Sequence, residues 1–180
     1  MLGDVRNATG AARQYGPHLA FPVPQPAAGA PQHLQQRILR RGVAQLRSLP
    51  AFVAARQAIA GRLREVLSGY PDLVGLPAVP DGVEPSHHLF TFFVREPERL
   101  SRDRLIHELD DRGVRVPIRY FPLHLTPEWR SRGHRYGECP TAERLWFEEQ
   151  MNLPCHPGLT DEQVDLLCEL LADSLRASLC

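Results

Sequence analysis

The sequence predicts an α/β fold in which a small sheet is flanked by helices. Two stretches, Gln32–Gly69 and Thr160–Leu175, carry apolar residues at helical spacing, and the aromatic, β-branched run His88–Val94 between them is typical of a strand. The 180 residues are 43% apolar and 23% charged, which excludes disorder along the whole chain and fits one globular domain. A chain of this length builds a core without disulfides or a metal.

The first 31 residues differ in composition from the rest. They end in the run Phe21–Pro31, which is rich in proline, alanine and glycine. Its prolines can neither continue a helix nor donate to a sheet ladder. We therefore predict a linker or strap over residues 1–31 and a folded domain over residues 32–180.

A helical stripe runs from Gln32 to Gly69 and is interrupted near Pro50. Its apolar members are Leu34, Ile38, Val43, Leu46, Phe52, Ile59, Leu63 and Val66. Proline is tolerated in the first turn of a helix but breaks a helix interior. We therefore predict a break at Ser48–Pro50, giving two helices or one kinked helix that ends near Gly69.

A strand and a helix are predicted in the middle of the chain. His88–Val94 reads as a buried strand, and the Ser101 hydroxyl can cap the helix that follows. Gly113 stands where a left-handed residue ends such a helix. The apolar residues of this helix are Leu105, Ile106 and Leu109.

Three further segments follow. Val114–Tyr120 alternates apolar and polar residues, but Pro117 removes one backbone donor, so the segment is predicted as an edge strand or a bulge. Thr141–Met151 is predicted as a short helix, and Asn152–Cys155 as a last strand.

The final helix has the clearest start signal in the chain. Thr160 and Gln163 have the spacing of a capping box, in which each side chain bonds the backbone of the other residue. The apolar face of the predicted helix comprises Val164, Leu167, Cys168, Leu171 and Leu175.

All 21 basic side chains other than histidine are arginines, so the chain contains no lysine. Arginine keeps its proton at physiological pH and its delocalised guanidinium is a poor nucleophile, so it cannot replace lysine in a Schiff base. Any mechanism that needs a lysine Schiff base within these 180 residues is therefore excluded.

The charges balance overall but are separated along the chain. Residues 32–69 contain seven arginines and one acid, whereas residues 143–173 contain eight acids and one arginine. Two solvated faces, contact between the two regions, or an anion-binding surface would each account for this pattern. Nucleic-acid binding by Arg37, Arg40, Arg41 and Arg47 is disfavoured, because aromatic residues are not interleaved with them and the net charge is zero.

Metal binding and membrane insertion are not predicted. The best ligand set would be His134, Cys139, Cys155 and His156. Its spacing lacks the close pair with two to four intervening residues that is typical of structural zinc, and a nucleophilic Cys/His pair would need convergence that spacing alone does not show. No run approaches the roughly 18 apolar residues of a membrane span. We expect a cytoplasmic, reducing setting.

Three motifs occur in order before the final helix. Gly113–His124 reads G-V-R-V-P-I-R-Y-F-P-L-H, Pro140–Glu143 reads P-T-A-E, and Asn152–Glu162 reads N-L-P-C-H-P-G-L-T-D-E. Together with Val43–Leu46 and Phe52–Ala60 upstream, they resemble the C-terminal part of the DegT/StrS-type sugar aminotransferases.

The resemblance implies the small α+β domain of a fold-type I transferase, preceded by its long helix. In that family a large domain holds pyridoxal phosphate (PLP) on a lysine, and the small domain closes over the substrate. The enzymes are usually dimers that act on nucleotide-linked keto-sugars. The implied partners are therefore a lysine-bearing large domain or full-length homologue, a nucleotide sugar, and a second copy of the chain.

Four residues are predicted to form a substrate-binding wall. A proline turn after an extended segment presents His124 as a hydrogen-bonding contact, and Tyr120 as an aromatic side of the site. Arg115 and Arg119 would attract a pyrophosphate, although the family pattern has histidine where this chain has Arg119. The alternatives are a turn or core role for His124 and a solvent-facing side for both arginines.

The sequence leaves two functions open. The chain is either a truncated or split aminotransferase small domain that is not catalytic alone, or a non-catalytic binding or regulatory remnant of the same fold. Neither function assigns it a catalytic residue or a covalent bond to PLP.

Overall fold

The computed structural model describes residues 32–96 and 98–178. The strap predicted over residues 1–31 and the side chains of Leu34 and Ile38 lie outside that description. In chain order the elements are α1 (Gln32–Ser68), β1 (Val74–Gly75), β2 (Phe90–Val94), α2 (Arg102–Asp111), a 3₁₀ turn (Leu123–Leu125), α3 (Pro127–Arg130), α4 (Pro140–Arg144), a π-helical turn (Leu145–Glu149), β3 (Gln150–Leu153) and α5 (Asp161–Ala177).

Helix α1 is one element of 37 residues with Pro50 inside it, so the prediction of a second helix after a break at Ser48–Pro50 is wrong, whereas a single helix that ends near Gly69 is confirmed. Pro50 removes a single backbone donor from the helix. The turn around it is open to solvent, since Leu49 and Phe52 are 45% and 40% exposed. Water can therefore satisfy the carbonyl groups that lose a partner, and the helix continues through the proline.

The sheet has three antiparallel strands in the order β1-β2-β3. Val74 pairs with Val94, and Phe92 pairs with Met151. The central strand confirms the prediction around His88–Val94, although it begins at Phe90. Alternate residues of β2 are fully buried, as expected for a strand with one face on the core.

One core joins the sheet to three helices. The second half of α1, α2 and α5 pack their apolar residues around the buried face of β2. The core residues include Ile59, Leu63, Leu67, Phe90, Phe92, Leu105, Leu109, Met151, Leu167, Leu171 and Leu175. The final helix buries four of the residues predicted for its apolar face, and Cys168 lies at the edge of the same core.

The helix termini form as the sequence predicts. Ser101 accepts from the backbone N–H of Arg104, and Gly113 adopts a left-handed φ of 84° after α2. The N–H groups of Gly113 and Val114 then bond back to the last turn of α2 at 2.9 and 2.8 Å, which is the arrangement of a Schellman motif. Thr160 and Gln163 form the full capping box of α5.

The segment Val114–Tyr120 is extended but is not a strand, so the predicted edge strand or bulge is wrong. The side chains of Gln150 and Asn152 replace a ladder: Gln150 donates to the Arg119 carbonyl, and Asn152 Oδ1 accepts from the Arg119 N–H at 2.8 Å. Asn152 is fully buried and also donates to Thr91 at 2.7 Å. The segment is therefore held by side chains of the sheet.

The helix predicted over Thr141–Met151 is observed as α4 followed by the π-helical turn, and it ends at Glu149. Strand β3 begins directly at Gln150, two residues before the strand predicted at Asn152–Cys155. The chain thus passes from helix to strand without a loop.

The two oppositely charged regions of the chain contact each other at Arg62. Arg62 of α1 forms an ion pair with Asp165 of α5 and lies 4.0 Å from Asp161. This contact places the second half of α1 beside α5. Arg62 is therefore the point at which the predicted contact between the basic and acidic regions occurs.

Candidate functional site

His124 and Glu143 form a largely buried pair. His124 Nε2 lies 2.6 Å from Glu143 Oε1, and the two side chains are 11% and 3% exposed. His124 belongs to the 3₁₀ turn that follows Pro122, while Glu143 lies in the first turn of α4. Because an ionised carboxylate only accepts, Nε2 carries the proton in this contact and donates to Glu143.

Backbone groups hold the Glu143 carboxylate in place. The Gly137 N–H donates to both carboxylate oxygens at 2.9 Å, and the Cys139 N–H donates to Oε1 at 3.3 Å. Gly137 has a left-handed φ of 95°, which favours glycine at this position. Glu143 therefore fixes both the loop before α4 and the ring of His124.

The environment of Glu143 lowers its pKa below the ordinary value. Burial has the largest influence and by itself raises the pKa. The hydrogen bonds from His124, Gly137 and Cys139, together with the charge of His124, outweigh burial. Glu143 is therefore an ionised anchor at neutral pH.

Ionised Glu143 should make the stability of the domain depend on pH. Because its pKa is lower when folded, its contribution is present above the ordinary value of 4.5 and is lost as the pH falls through the folded-state pKa. Glu143→Gln should be less stable than the parent at pH 7, since an amide NH₂ group would face backbone donors, and the difference should narrow below pH 4.5. Urea unfolding between pH 7 and 3 measures this.

Glu128→Gln is the matched surface control. Glu128 of α3 is 67% exposed and pairs with Arg132, which follows the helix, so its loss should change the free energy of unfolding by less than about 1 kcal/mol. A difference between parent and Glu143→Gln that stays constant over the whole pH range would contradict the anchoring role.

The other three predicted site residues face solvent. Arg115 and Arg119 are exposed, and so is Tyr120, whose side chain is 65% exposed. Between them Val116 and Ile118 are buried, so the extended segment alternates an outer and an inner side. The Arg119–Tyr120 peptide bond is cis. The segment thus presents two cations and a phenol on its outer side, a few residues before His124.

An aromatic cluster supports the turn that carries His124. Phe121 meets Trp146 edge to face at 4.8 Å, and Trp146 meets Phe147 in the same way. Ile118 and Trp146 are 4% and 5% exposed. Such ring contacts add to the stabilisation from burial, so Ile118 and Phe121 anchor the segment while Arg119 and Tyr120 face outward.

Two residues at this site were missed by the sequence analysis. Glu143 appeared only as the last residue of the P-T-A-E motif, and Asn152 only as the first residue of a predicted strand and of the motif that includes it. An acid three residues after a proline at a helix start is a weak signal, because acids in the first turn are common and stabilise a helix without any further role. Their roles depend on contacts with residues 19 and 33 positions away.

The alternative sites are not formed among residues 32–96 and 98–178. No group of three or more His, Cys, Asp or Glu side chains within those ranges could hold a metal ion, so the set His134, Cys139, Cys155 and His156 is not brought together. Burial raises the pKa of the Cys155 thiol, while Arg56 lowers it, and a thiol of raised pKa is a poor nucleophile. Over the same ranges no helix is long and apolar enough to span a bilayer.

The sequence of this chain is similar to that of known aminotransferases. The model of the DegT/DnrJ/EryC1/StrS aminotransferase family matches residues 39–172. A dTDP-4-dehydro-2,3,6-trideoxy-D-glucose 4-aminotransferase from Saccharopolyspora spinosa is 35% identical over 125 residues, which are 68% of this chain and 30% of that relative.

Solved structures agree with the sequence match. The aminotransferase TlmJ from Streptoalloteichus hindustanus is 36% identical with a TM-score of 0.65, covering 76% of this chain and 35% of TlmJ. Spr1654 from Streptococcus pneumoniae, solved in PLP and PMP forms, is 28% identical with a TM-score of 0.65, covering 77% of this chain and 34% of Spr1654. The chain spans about a third of the length of these proteins, in a family whose aminotransferases depend on PLP. On the match to residues 39–172 and the shared fold, the chain belongs to the DegT/DnrJ/EryC1/StrS aminotransferase family.

Proposed function

We propose that this chain is the substrate-facing small domain of a sugar aminotransferase and helps to bind a nucleotide-linked keto-sugar. The observation that carries the proposal is the buried His124–Glu143 pair, which lies at the end of a segment with Arg115, Arg119 and Tyr120 on its outer side. These residues stand in the G-V-R-V-P-I-R-Y-F-P-L-H and P-T-A-E motifs.

Each of these groups has a defined role in the proposal. Arg115 and Arg119 donate to the pyrophosphate, since a guanidinium matches phosphate oxygens in two-point contacts. Tyr120 covers an apolar face of the sugar or cofactor. His124 forms a hydrogen bond with a sugar hydroxyl through Nδ1, while Glu143 keeps the ring in the orientation that this requires.

The residues of this chain do not fit a covalent bond to PLP. PLP, when bound, supplies an electron sink for amine transfer, and holding it by a Schiff base requires a lysine that these 180 residues do not contain. We assign the lysine and the phosphate-binding groups to a cofactor domain outside these residues. Our proposal places the assembled enzyme in the cytoplasm, and no step of the reaction is assigned to this chain alone.

The second function is a non-catalytic binding or regulatory module. Such a module would keep the fold of the family without its chemistry, and it is equally compatible with a chain that contains no lysine. Such a module would have no reason to retain an affinity for nucleotide sugars.

Binding of dTDP-glucose to the ¹⁵N-labelled chain tests the proposal. We expect saturable amide shifts in residues 115–124, and Arg115→Ser combined with Arg119→Ser should weaken the affinity about tenfold, the effect of losing one charge-assisted hydrogen bond. The matched control is Arg99→Ser combined with Arg104→Ser. It removes two exposed arginines that lie outside the 115–124 segment and should leave the affinity unchanged.

Two results would overturn this function. One is the absence of saturable shifts at millimolar dTDP-glucose. The other is a loss of affinity that is the same in the two double variants, because binding would then follow net charge and not the 115–124 segment.

A further inference from the structure

A cavity of about 540 Å³, open to solvent, is lined by Arg64 of α1, by the loop that joins β1 to β2 (residues 76–89), and by the start of β2. It shares no residue with the 115–124 segment or with Glu143. Sites for small molecules have volumes of about 300–1,000 Å³ and mostly apolar walls with a few polar groups. The volume of this cavity therefore fits a small organic molecule.

The walls of the cavity are mostly apolar. They include Pro77, Val79, Pro80, Val83 and Pro85 of the loop. Val79 and Val83 are 40% and 53% exposed, so apolar surface is open to a ligand. The prolines have a fixed φ, which limits the freedom of the loop before a ligand arrives. An apolar wall that is already in place favours an apolar ligand, because little conformational entropy is lost on binding.

A turn closes the tip of this loop. The Val83 N–H donates to the Pro80 carbonyl at 3.2 Å, and Gly82 between them adopts a φ of 76°. This is the arrangement of a β-turn whose third residue is left-handed, a position that favours glycine. The part of the loop that carries the two valines is therefore held by its own backbone.

Arg64 supplies a positive charge to the lining of the cavity. It is half-buried on α1, and within residues 32–96 and 98–178 no carboxylate forms an ion pair with it. None of the described residues that line the cavity is acidic. A guanidinium binds a planar carboxylate through two parallel hydrogen bonds, so the charge of Arg64 favours an anionic ligand.

His87 adds a ring donor to the same cavity. Burial and the charge of Arg64 lower the pKa of His87 below its ordinary value, so the ring is largely neutral at pH 7 and donates from one nitrogen. Its φ of 44° is left-handed, which is uncommon for residues other than glycine and recurs at ligand-binding sites. The cavity therefore combines one permanent positive charge with one neutral donor.

We propose that this cavity binds an aromatic monocarboxylate, with its carboxylate on Arg64 and His87 and its ring against the prolines and valines of the loop. One negative charge matches the one permanent cation, whereas a doubly charged phosphate monoester would bring an unmatched charge into a mostly apolar cavity. An aromatic ring buries a large apolar area with few rotatable bonds. This site goes beyond the proposed function and does not depend on the binding of a nucleotide sugar.

Titration of the ¹⁵N-labelled chain with cinnamate at neutral pH tests the site. We expect saturable amide shifts at Arg64 and in residues 76–91. The neutral analogue cinnamamide should bind at least about tenfold more weakly, and Arg64→Gln should weaken cinnamate to the same extent, because each change removes the charge-assisted contact. His87→Gly removes the ring donor and keeps a residue that tolerates the left-handed φ, so it should weaken cinnamate about fivefold.

Arg41→Gln is the matched control, since Arg41 is an exposed arginine of the same helix that does not line the cavity. It should leave the affinity unchanged, and circular dichroism should show that every variant keeps the helical content of the parent. The absence of saturable shifts at about 5 mM cinnamate, equal affinities for cinnamate and cinnamamide, or an unchanged affinity in Arg64→Gln would overturn the site. Shifts confined to residues 115–124 would also overturn it, because cinnamate would then occupy the proposed substrate wall.

Discussion

Mixed with PLP, reduced with borohydride and digested, the purified chain should carry a phosphopyridoxyl group on none of its side chains. Reduction traps any Schiff base as a stable secondary amine. All 21 Lys and Arg positions are arginine, and a guanidinium does not form that adduct under these conditions. Peptide mass spectrometry reads the result residue by residue, and the α-amino group of Met1 is the one primary amine in the sequence that reduction can label.

The same reasoning sets the expected activity of the chain alone. With an amino donor, a nucleotide-linked keto-sugar and PLP, amine transfer should not exceed the rate with PLP and no protein. A lysine-containing aminotransferase of the family serves as the positive control for both measurements. A phosphopyridoxyl side chain, or amine transfer catalysed by this chain as the sole protein, would contradict the assignment of the cofactor lysine to another domain.

Replacing Phe92 with alanine should lower the free energy of unfolding by about 3–5 kcal/mol. Phe92 is fully buried at the centre of β2, opposite Met151 in the sheet. Truncation removes an aromatic ring from the point where the strand meets α1, α2 and α5, and the tightly packed surroundings relax only partly into the cavity. Urea denaturation monitored by circular dichroism measures the loss.

Two companion variants make this result interpretable. Phe92→Leu keeps most of the volume and should lose less than half as much stability, so it is measurable even where Phe92→Ala does not fold. Phe52→Ala is the matched surface control: Phe52 is 40% exposed on α1, and its truncation should change stability by about 0.5 kcal/mol or less. Equal losses for Phe92→Ala and Phe52→Ala would contradict the assigned core.

Local signals in the sequence predicted the elements that depend on local contacts. Ser101, Gly113 and the Thr160–Gln163 box each satisfy backbone groups within four residues of themselves, so their spacing alone carries the information. The strand around Phe92 was also predicted from a local signal, its short aromatic and β-branched composition.

The errors arose where distant side chains decide the structure. The alternation of Val114–Tyr120 is real, as the buried Val116 and Ile118 show, but its backbone bonds to Gln150 and Asn152 and not to a strand. Spacing does not reveal such partners. The sequence analysis expected Pro50 to break the helix, as proline does in a buried helix interior. The exposure of this part of α1 could not be known from the sequence.

In the candidate site, too, local features were predicted and distant contacts were not. His124 was predicted from its turn, whereas Glu143 required the fold to bring α4 against that turn. The solvent-facing position of Arg115 and Arg119 agrees with both readings of the sequence, an anion-binding wall and an exposed side. For that reason their role remains part of the proposed function.

The π-helical turn Leu145–Glu149 makes the domain unusually sensitive to insertions and deletions. It runs straight into β3, where Gln150 and Asn152 point away from Met151 and towards the Arg119 backbone. Losing one residue from the turn would shift β3 by one position and exchange its two faces. Amide groups would then enter the apolar core while Met151 left it. Insertions and deletions are therefore tolerable in the loop between β1 and β2 but not in the π-helical turn.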